Sequence, residues 1–317
     1  MQRALLAVML VLAAALTAIG VALALKHSNA DANTIPNTNT NAGGRACTDT
    51  GDRFTKLQLI NQLPAAPHVL VLGSSRARVA MPAAVEALTG GQAFNAGVQG
   101  GGAADGYVFT RVLAQRFPTA KPAYVIFVDV SIAGDGVNPN LADDPLARPF
   151  LGSDAIAGTQ SCVDNQFYSA DGGLAYPPGP TNGRAALVAA EVAQTLLGIP
   201  ADAKIPRHIN PASTTYFQKL LRFINAQGAT PVIVLNPIYP TILAERLRYG
   251  FPELKAAKTY IAWLQKRYRF IFLNCADIRT WGGSKSNFWN KNHIDRPGMA
   301  RMLRYAVRHS HGVLTKR

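Results

Sequence analysis

Two segments that are far apart in the chain carry side chains that could do nucleophilic chemistry. In the first, an apolar run ends abruptly at Gly73 and is followed by Ser74, Ser75 and Arg76. A hydroxyl directly after a buried strand either caps the next helix or projects into a crevice at the end of a sheet. In the second, His293 stands in a polar loop before a helix that starts with proline, where an imidazole is placed to act as a general base. Each segment alone is also typical of ordinary turn and loop residues.

The elements that must position these residues are predicted by the hydrophobic pattern. After residue 67, short apolar runs alternate with longer amphipathic stretches, which predicts an α/β fold with a parallel sheet covered by helices. Strands are expected at 69–72, 93–95, 124–130, 231–235 and 270–273, and helices from about 82 and at about 103–117, 184–197, 215–226, 253–268 and 297–309. The alternation stops between about 131 and 211, which is predicted to be an insertion that shapes a substrate site.

The N-terminal segment is predicted to lie outside this domain. Residues 4–25 are apolar and uncharged, and about 20 such residues are enough to span a bilayer. Residues 1–27 are therefore expected to form a signal anchor or transmembrane helix, with a cleaved signal peptide as the alternative. Residues 28–54 are predicted to be a flexible linker, and residues 55–317 a folded domain. Both alternatives export the domain. With an uncleaved anchor it stays on the extracytoplasmic (periplasmic or outer) face of the inner membrane, and after cleavage of a signal peptide it is secreted.

Positive charge is concentrated in the second half of the chain. Residues 161–317 carry 21 Lys and Arg against 8 Asp and Glu, which accounts for +13 of the net charge of +14. An exported protein rarely meets nucleic acid, so an acidic membrane surface or an anionic envelope polymer is the expected class of partner. Solvated basic helix faces with no partner would give the same bias.

The cysteines and the glycine-rich segment place limits on cofactors. Cys47 and Cys162 lie in polar, loop-like surroundings and are the expected disulfide pair of an exported chain, whereas Cys275 follows an apolar run and is expected in the core. Their spacing does not predict a metal site. The glycines of residues 97–102 match neither common nucleotide-binding fingerprint, so no organic cofactor is expected.

The order of the segments carries a family resemblance. A strand-end Gly-x-Ser comes first, then the glycine-rich loop Asn95–Gly100 after the second strand, and last a histidine loop before the final helix. This arrangement resembles the SGNH/GDSL hydrolase superfamily, particularly its membrane-anchored envelope branch, which includes proteins linked to D-alanyl transfer and to polysaccharide O-acetylation. The resemblance covers roughly residues 65–310 outside the insertion. It implies a three-layer, flavodoxin-like α/β domain with helices on both faces of a parallel sheet.

The resemblance also implies a role for each matching residue. Ser75 matches the nucleophile and His293 the catalytic histidine, while the amides of Ser75 and Gly100 match the donors to the oxyanion. Arg76, beside the nucleophile, is expected to bind a carboxylate or an anionic sugar, with a solvated helix-start arginine as the alternative.

Two departures from the family pattern affect the expected activity. The segment after the third strand lacks the asparagine that in the family donates to the oxyanion. Ser131 or Asn236 is expected to replace this donor, and Asn236 is therefore expected to bind the substrate. Three positions before the histidine, the family's aspartate is replaced by Asn290. An asparagine can hold an imidazole in place but supplies no negative charge. Asp277 and Asp295 are the alternative orienting carboxylates.

Together these features predict a membrane-anchored, extracytoplasmic serine esterase or O-acyltransferase without a metal or organic cofactor. Its substrates would be O-acetyl-like esters of a cell-envelope glycan or another acylated carbohydrate. The alternative is a catalytically weak or inactive protein of the same fold that binds an anionic envelope polymer or a membrane-bound acyltransferase.

Overall fold

The domain is built around one parallel sheet. The computed structural model describes residues 51–131, 137–151, 168–174, 184–202 and 211–316. Within these ranges the strands are β1 (Val69–Leu72), β2 (Ala93–Asn95), β3 (Ala123–Val128), β4 (Val232–Leu235) and β5 (Ile271–Asn274), in the spatial order β2-β1-β3-β4-β5. Every neighbouring pair is parallel. All five strands therefore end at the same edge of the sheet, which collects the loops that follow them.

Helices connect the strands, and several of them begin at a proline. Within the described ranges they are α1 (Asp52–Gln62), α2 (Pro82–Thr89), α3 (Ala103–Arg116), α4 (Pro139–Asp143), α5 (Arg184–Asp202), α6 (Pro211–Ala226), α7 (Pro240–Arg248), α8 (Pro252–Gln265) and α9 (Arg296–Arg308). Proline is favoured in a first turn because backbone N–H groups there have no acceptor within the helix, so the lack of an N–H in proline costs no hydrogen bond. This chemistry fixes where α2, α7 and α8 start.

The core lies on both faces of the sheet. Leu70 and Leu72 belong to a hydrophobic cluster with residues of α1, α3, α6 and α8, whereas Val69 and Val71 belong to a second cluster with residues of α2 and α9. Successive side chains of a strand point to opposite faces, so a strand covered on both sides must be apolar at every position. The unbroken apolar run of β1 is explained in this way.

The predicted α/β class and parallel sheet are confirmed. Strands β1 and β2 have the predicted bounds, and the predicted helices are present with shifts of a few residues at their ends. Strand β3 ends at Val128, two residues earlier than predicted, because the backbone of Asp129 and Val130 no longer pairs with β4. Asp129 is therefore the first residue beyond the strand, at the edge where β1 also ends.

Helix α1 corrects the boundary of the predicted linker. It begins at Asp52, inside the interval 28–54, and its first turns are buried rather than solvated. Arg53 is 2% exposed and Lys56 is fully buried. Their polar groups bind residues far along the chain: Arg53 Nε donates to Asp105 Oδ1 at 2.6 Å, and Lys56 Nζ donates to Asn95 O at 2.5 Å. Local composition suggested a linker because these partners are not neighbours in sequence.

Part of the predicted insertion closes the outer side of β2. The segment Tyr168–Leu174 lies beside this edge strand, where the amide of Asn95 donates to Asp171 O at 3.0 Å and Lys56 Nζ donates to Gly172 O. The amide of Ala93 donates to Glu86 Oε1 at 3.0 Å.

Another part of the insertion is helix α5, which packs on α7. Val188, Val192 and Ile199 of α5 form a small hydrophobic cluster with Ile242 of α7. Helix α7 was not predicted, and it provides the surface that holds the inserted helix at the carboxyl edge of the sheet.

The N-terminal predictions fall outside the described residues. These are the anchor at residues 1–27, the linker as far as residue 50, and both members of the expected disulfide, Cys47 and Cys162. Among the helices that the structure describes, none combines the length and apolar character needed to cross a membrane. Cys275 is buried and unpaired, and burial raises the pKa of its thiol to about 12.

Candidate active site

The serine turn and the histidine loop meet at the carboxyl edge of the sheet. Ser75 Oγ lies 2.9 Å from His293 Nε2, although the two residues are 218 positions apart. Both side chains are half-buried, so the pair is shielded and still reachable. A hydroxyl within hydrogen-bond distance of an imidazole nitrogen has the geometry of a nucleophile and its general base.

Asn290 fixes the orientation and the tautomer of the imidazole. Its Oδ1 accepts the amide N–H groups of Asn292 at 2.9 Å and His293 at 2.8 Å, so this atom is the amide oxygen rather than the nitrogen. The same oxygen lies 3.0 Å from His293 Nδ1, which must therefore carry the proton. Nε2 is left with a lone pair directed at the hydroxyl of Ser75, as a general base requires.

The electrostatic surroundings keep His293 neutral. Burial lowers the pKa of its imidazole to about 4, and the positive charge of Arg76 contributes to the same shift, against a smaller opposing effect of Asp129. At neutral pH the ring is therefore neutral, and its Nε2 is able to accept a proton.

A tight turn at the end of β1 presents Ser75. Gly73 has φ 144°, and a Cβ on it would lie 2.7 Å from Phe127 O, so a side chain at this position would collide with β3. The turn is closed by the amide of Ala77, which donates to Ser74 O at 2.9 Å. The hydroxyl of Ser74 donates to Asp129 Oδ2 at 3.2 Å. The two serines thus face different partners, and only Ser75 contacts the histidine.

The glycine-rich loop after β2 lies against this turn. The amide of Val98 donates to Gly73 O at 3.2 Å, and a Cβ on Gly101 would lie 2.6 Å from that same oxygen. Gly100 is exposed with φ 58°, a conformation that glycine adopts without strain. Among the residues that the structure describes, the amides of Ser75 and Gly100 donate no hydrogen bond to the protein. Both N–H groups are therefore free to bind an anion or water.

Buried polar groups support the loop from below. Asn95 Nδ2 donates to Ala77 O at 2.9 Å and to Ala80 O at 2.7 Å, and Asn95 Oδ1 accepts the amide of Gly97 at 2.8 Å. This single side chain therefore joins the segment after Ser75 to the glycine-rich loop.

The first turn of α1 holds the other half of that loop. Arg53 Nη2 donates to Gly100 O at 3.3 Å, and the amide of Gln99 donates to Asp52 Oδ2 at 2.9 Å. These contacts fix two peptide groups beside Gly100, although α1 itself contributes no residue to the Ser75–His293 pair.

Asp129 is a site residue that the sequence reasoning did not assign. Its carboxylate accepts the hydroxyl of Ser74, lies 2.8 Å from Arg76 Nη1, and accepts Asn236 Nδ2 at 2.9 Å. The available signal was an acidic residue directly after a β-branched strand that neighbours β1. Asp129 neutralises Arg76 and joins the ends of β1, β3 and β4.

The remaining predicted site residues lie in different surroundings. Asn236 is 1% exposed and supports Asp129, so it does not face the space beside Ser75 and His293 directly. Asp277 accepts the amide of Arg279 and pairs with its guanidinium. Asp295 caps α9 by accepting the amide of Gly298 at 2.8 Å.

The two alternative carboxylates therefore do not orient His293 in this structure. Both are held by the turn or helix that begins next to them, which is the usual use of an aspartate at such a position. Ser131, the alternative oxyanion donor, is exposed beyond the end of β3.

A cleft of about 500 Å³ opens beside the pair. Its lining includes Arg76, which follows the serine, Asn292, which precedes the histidine, and Thr195 of α5. Helix α5 also binds the histidine loop, because Glu191 Oε2 accepts the amide of Lys291 at 3.0 Å. The inserted helix therefore shapes the approach to the site.

In the described part of the chain, no group of three His, Cys, Asp or Glu side chains is placed to hold a metal ion. Comparisons of the chain with models of known families, with curated proteins and with solved structures find no match.

Proposed function

We propose that this chain is an SGNH-type serine esterase or O-acyltransferase on a three-layer, flavodoxin-like domain. The strand order β2-β1-β3-β4-β5 is the order of flavodoxin-like doubly wound sheets, and the two core clusters on opposite faces of the sheet support the layered arrangement. The observation that carries the function is the 2.9 Å contact between Ser75 Oγ and His293 Nε2, with Nδ1 held by Asn290.

The reaction begins with attack of Ser75 Oγ on the acyl carbon of an ester while His293 Nε2 takes the hydroxyl proton. The amides of Ser75 and Gly100 bind the oxyanion of the tetrahedral intermediate. The imidazolium then gives its proton to the departing alcohol, which leaves an acyl-serine. Water or an acceptor hydroxyl attacks this ester and loses its proton to Nε2. The acyl–Oγ bond then breaks, and the imidazolium returns the proton to Ser75 Oγ, so that a carboxylic acid or a new ester leaves and the serine is regenerated. Hydrolysis and transfer share the same first half.

The substrate class that we propose is an O-acetyl-like ester on a cell-envelope glycan. The apolar residues 4–25 support a location at the membrane on the extracytoplasmic side, with secretion after cleavage as the alternative. The positive charge of the second half supports an anionic partner, either the glycan itself or the membrane surface. A membrane-bound acyltransferase is a further proposed partner.

Hydrolysis of para-nitrophenyl acetate by the full chain in detergent tests the proposal. We expect Ser75→Ala and His293→Ala each to lower kcat/KM by about 1,000-fold or more. Ser286→Ala and His311→Ala are matched controls, because both residues are exposed and lie outside the site. Mass spectrometry should find the acetyl group on Ser75 after rapid quenching. Equal activity in all five proteins would overturn the enzymatic proposal.

A second candidate function is binding without turnover, and Asn290 is the observation that favours it. An amide beside Nδ1 orients the ring but does not stabilise the imidazolium that forms during catalysis. In that case the unchanged protein would hydrolyse no ester above the level of Ser75→Ala, yet both proteins would cosediment equally with a polyuronate. Loss of cosedimentation in Ser75→Ala would contradict this second candidate.

A further inference from the structure

The cleft beside the Ser75–His293 pair is unequally charged. Three cationic side chains line it, namely Arg76, Arg246 of α7 and Lys291 of the histidine loop, against the single carboxylate of Asp129. Arg76 and Asp129 neutralise one another through their 2.8 Å ion pair. The excess positive charge of the cleft therefore comes from Arg246 and Lys291.

Neither of these two cations has an acidic partner among the described residues. In the described ranges no carboxylate forms an ion pair with either of them, and the nearby Glu191 accepts the backbone amide of Lys291. The neighbouring Glu245 pairs with Arg248 instead. Arg246 is held in place because its guanidinium stands 5.1 Å from the centroid of the Phe251 ring.

The remaining lining of the cleft combines apolar surface with hydrogen-bonding groups, as a sugar-binding site requires. Val130, Ile238 and Ile242 supply apolar surface, and Gln194 and Thr195 of α5 supply hydrogen-bonding groups. Polar groups beside a partly apolar surface are typical of sites that fix the orientation of a small ligand.

We propose that Arg246 and Lys291 form an anion subsite that selects esters carrying a carboxylate or phosphate on the same molecule. The subsite rests on the proposed function, because the ester of the substrate must lie at Ser75 while the anionic group of the same molecule lies in the cleft. Arg246 offers a planar fork of donors and Lys291 a compact charge, and both kinds of group bind carboxylates and phosphates. Arg76 is not assigned to this subsite, because Asp129 already forms an ion pair with it.

The test compares acetylated methyl glucoside, methyl glucuronoside and a methyl glucoside phosphate as substrates. For the unchanged protein, kcat/KM should be higher for at least one anionic ester than for the neutral one. Arg246→Gln and Lys291→Gln should each lower the ratio of anionic to neutral kcat/KM by about 10-fold, a typical loss for one charge-assisted contact. Arg248→Gln is the matched control on the same helix, since Arg248 is exposed and paired with Glu245. The glucuronoside and phosphate esters distinguish the two sources of the anion.

A binding measurement separates failure of the subsite from failure of the proposed function. Calorimetry of Ser75→Ala with the acetylated glucuronoside should give an affinity that salt weakens and that the added Arg246→Gln substitution lowers about 10-fold. Absence of turnover together with this binding would overturn the esterase and keep the subsite. Equal binding of charged and neutral sugars, or an unchanged ratio in both variants, would overturn the subsite.

Discussion

The two sides of the site are held by different kinds of contact. The serine side is the Ser75 turn with the glycine-rich loop and the α1 residues that hold it, and the histidine side is the loop that carries Asn290 and His293. Below the glycine-rich loop, Arg53 and Asp105 form an ion pair in which both side chains are at most 4% exposed. The histidine loop is half-buried, and Asn290 holds it with one amide oxygen that accepts three hydrogen bonds. We therefore expect stability to depend mainly on the contacts of the serine side and reactivity mainly on those of the histidine side.

The largest expected effect is on stability, from a change on the serine side. Arg53→Met leaves the carboxylate of Asp105 buried without its partner, which should lower the free energy of unfolding by about 3–5 kcal/mol. Urea denaturation followed by circular dichroism measures this loss. Arg116→Met, at an exposed position of α3, is the control and should change stability by about 0.5 kcal/mol or less. If both variants lowered the free energy of unfolding by the same small amount, stability would not depend mainly on the serine side.

A change on the histidine side should affect the rate instead. Asn290→Ala removes the acceptor of Nδ1 and lets the imidazole turn away from Ser75, so kcat/KM for an aryl acetate should fall by about 100-fold. Urea denaturation of the same variant should show a smaller loss of stability than that of Arg53→Met. A rate close to that of the unchanged protein would show that Asn290 does not position the base.

A carboxylate at the same position should sharpen the contrast. In the unchanged protein, kcat/KM should fall as the pH decreases through about 4, because protonation of His293 removes the base. Asn290→Asp places a negative charge beside the ring, which stabilises the imidazolium and raises the pKa of His293. The acid limb of the pH profile should then move to higher pH, and the rate at neutral pH should increase by about 10-fold. A limb that stays in place would show that the new carboxylate does not interact with the imidazole.

The smallest effect is expected for an acidic residue outside both sides. Asp277 bonds to Arg279 and not to His293, so Asp277→Ala should leave kcat/KM within about two-fold of that of the unchanged protein. Steady-state rates at neutral pH are sufficient to check this. A loss of kcat/KM comparable to that of Asn290→Ala would contradict the assignment of the orienting role to Asn290 alone.

The parts that could be predicted from sequence are those where a local pattern determines the structure. The apolar run of β1, the glycine at its end and the histidine before a proline-initiated helix all leave local signals, and the structure brings Ser75 and His293 together. Arg53 leaves no such signal, and Asp129 leaves only its place directly after a β-branched strand. Each charge resembles a solvated residue until the fold supplies its partner, Asp105 for the first and Arg76 for the second.

The segment Tyr168–Leu174 has a consequence for the behaviour of the protein in solution. An outer strand normally exposes unpaired backbone groups onto which another chain can add a strand. At β2 the amides of Ala93 and Asn95 are already used by Glu86 and Asp171, and Lys56 occupies the carbonyl of Asn95. These backbone groups are not available to another strand, so we expect Glu86, Lys56 and the inserted segment together to disfavour aggregation through β2.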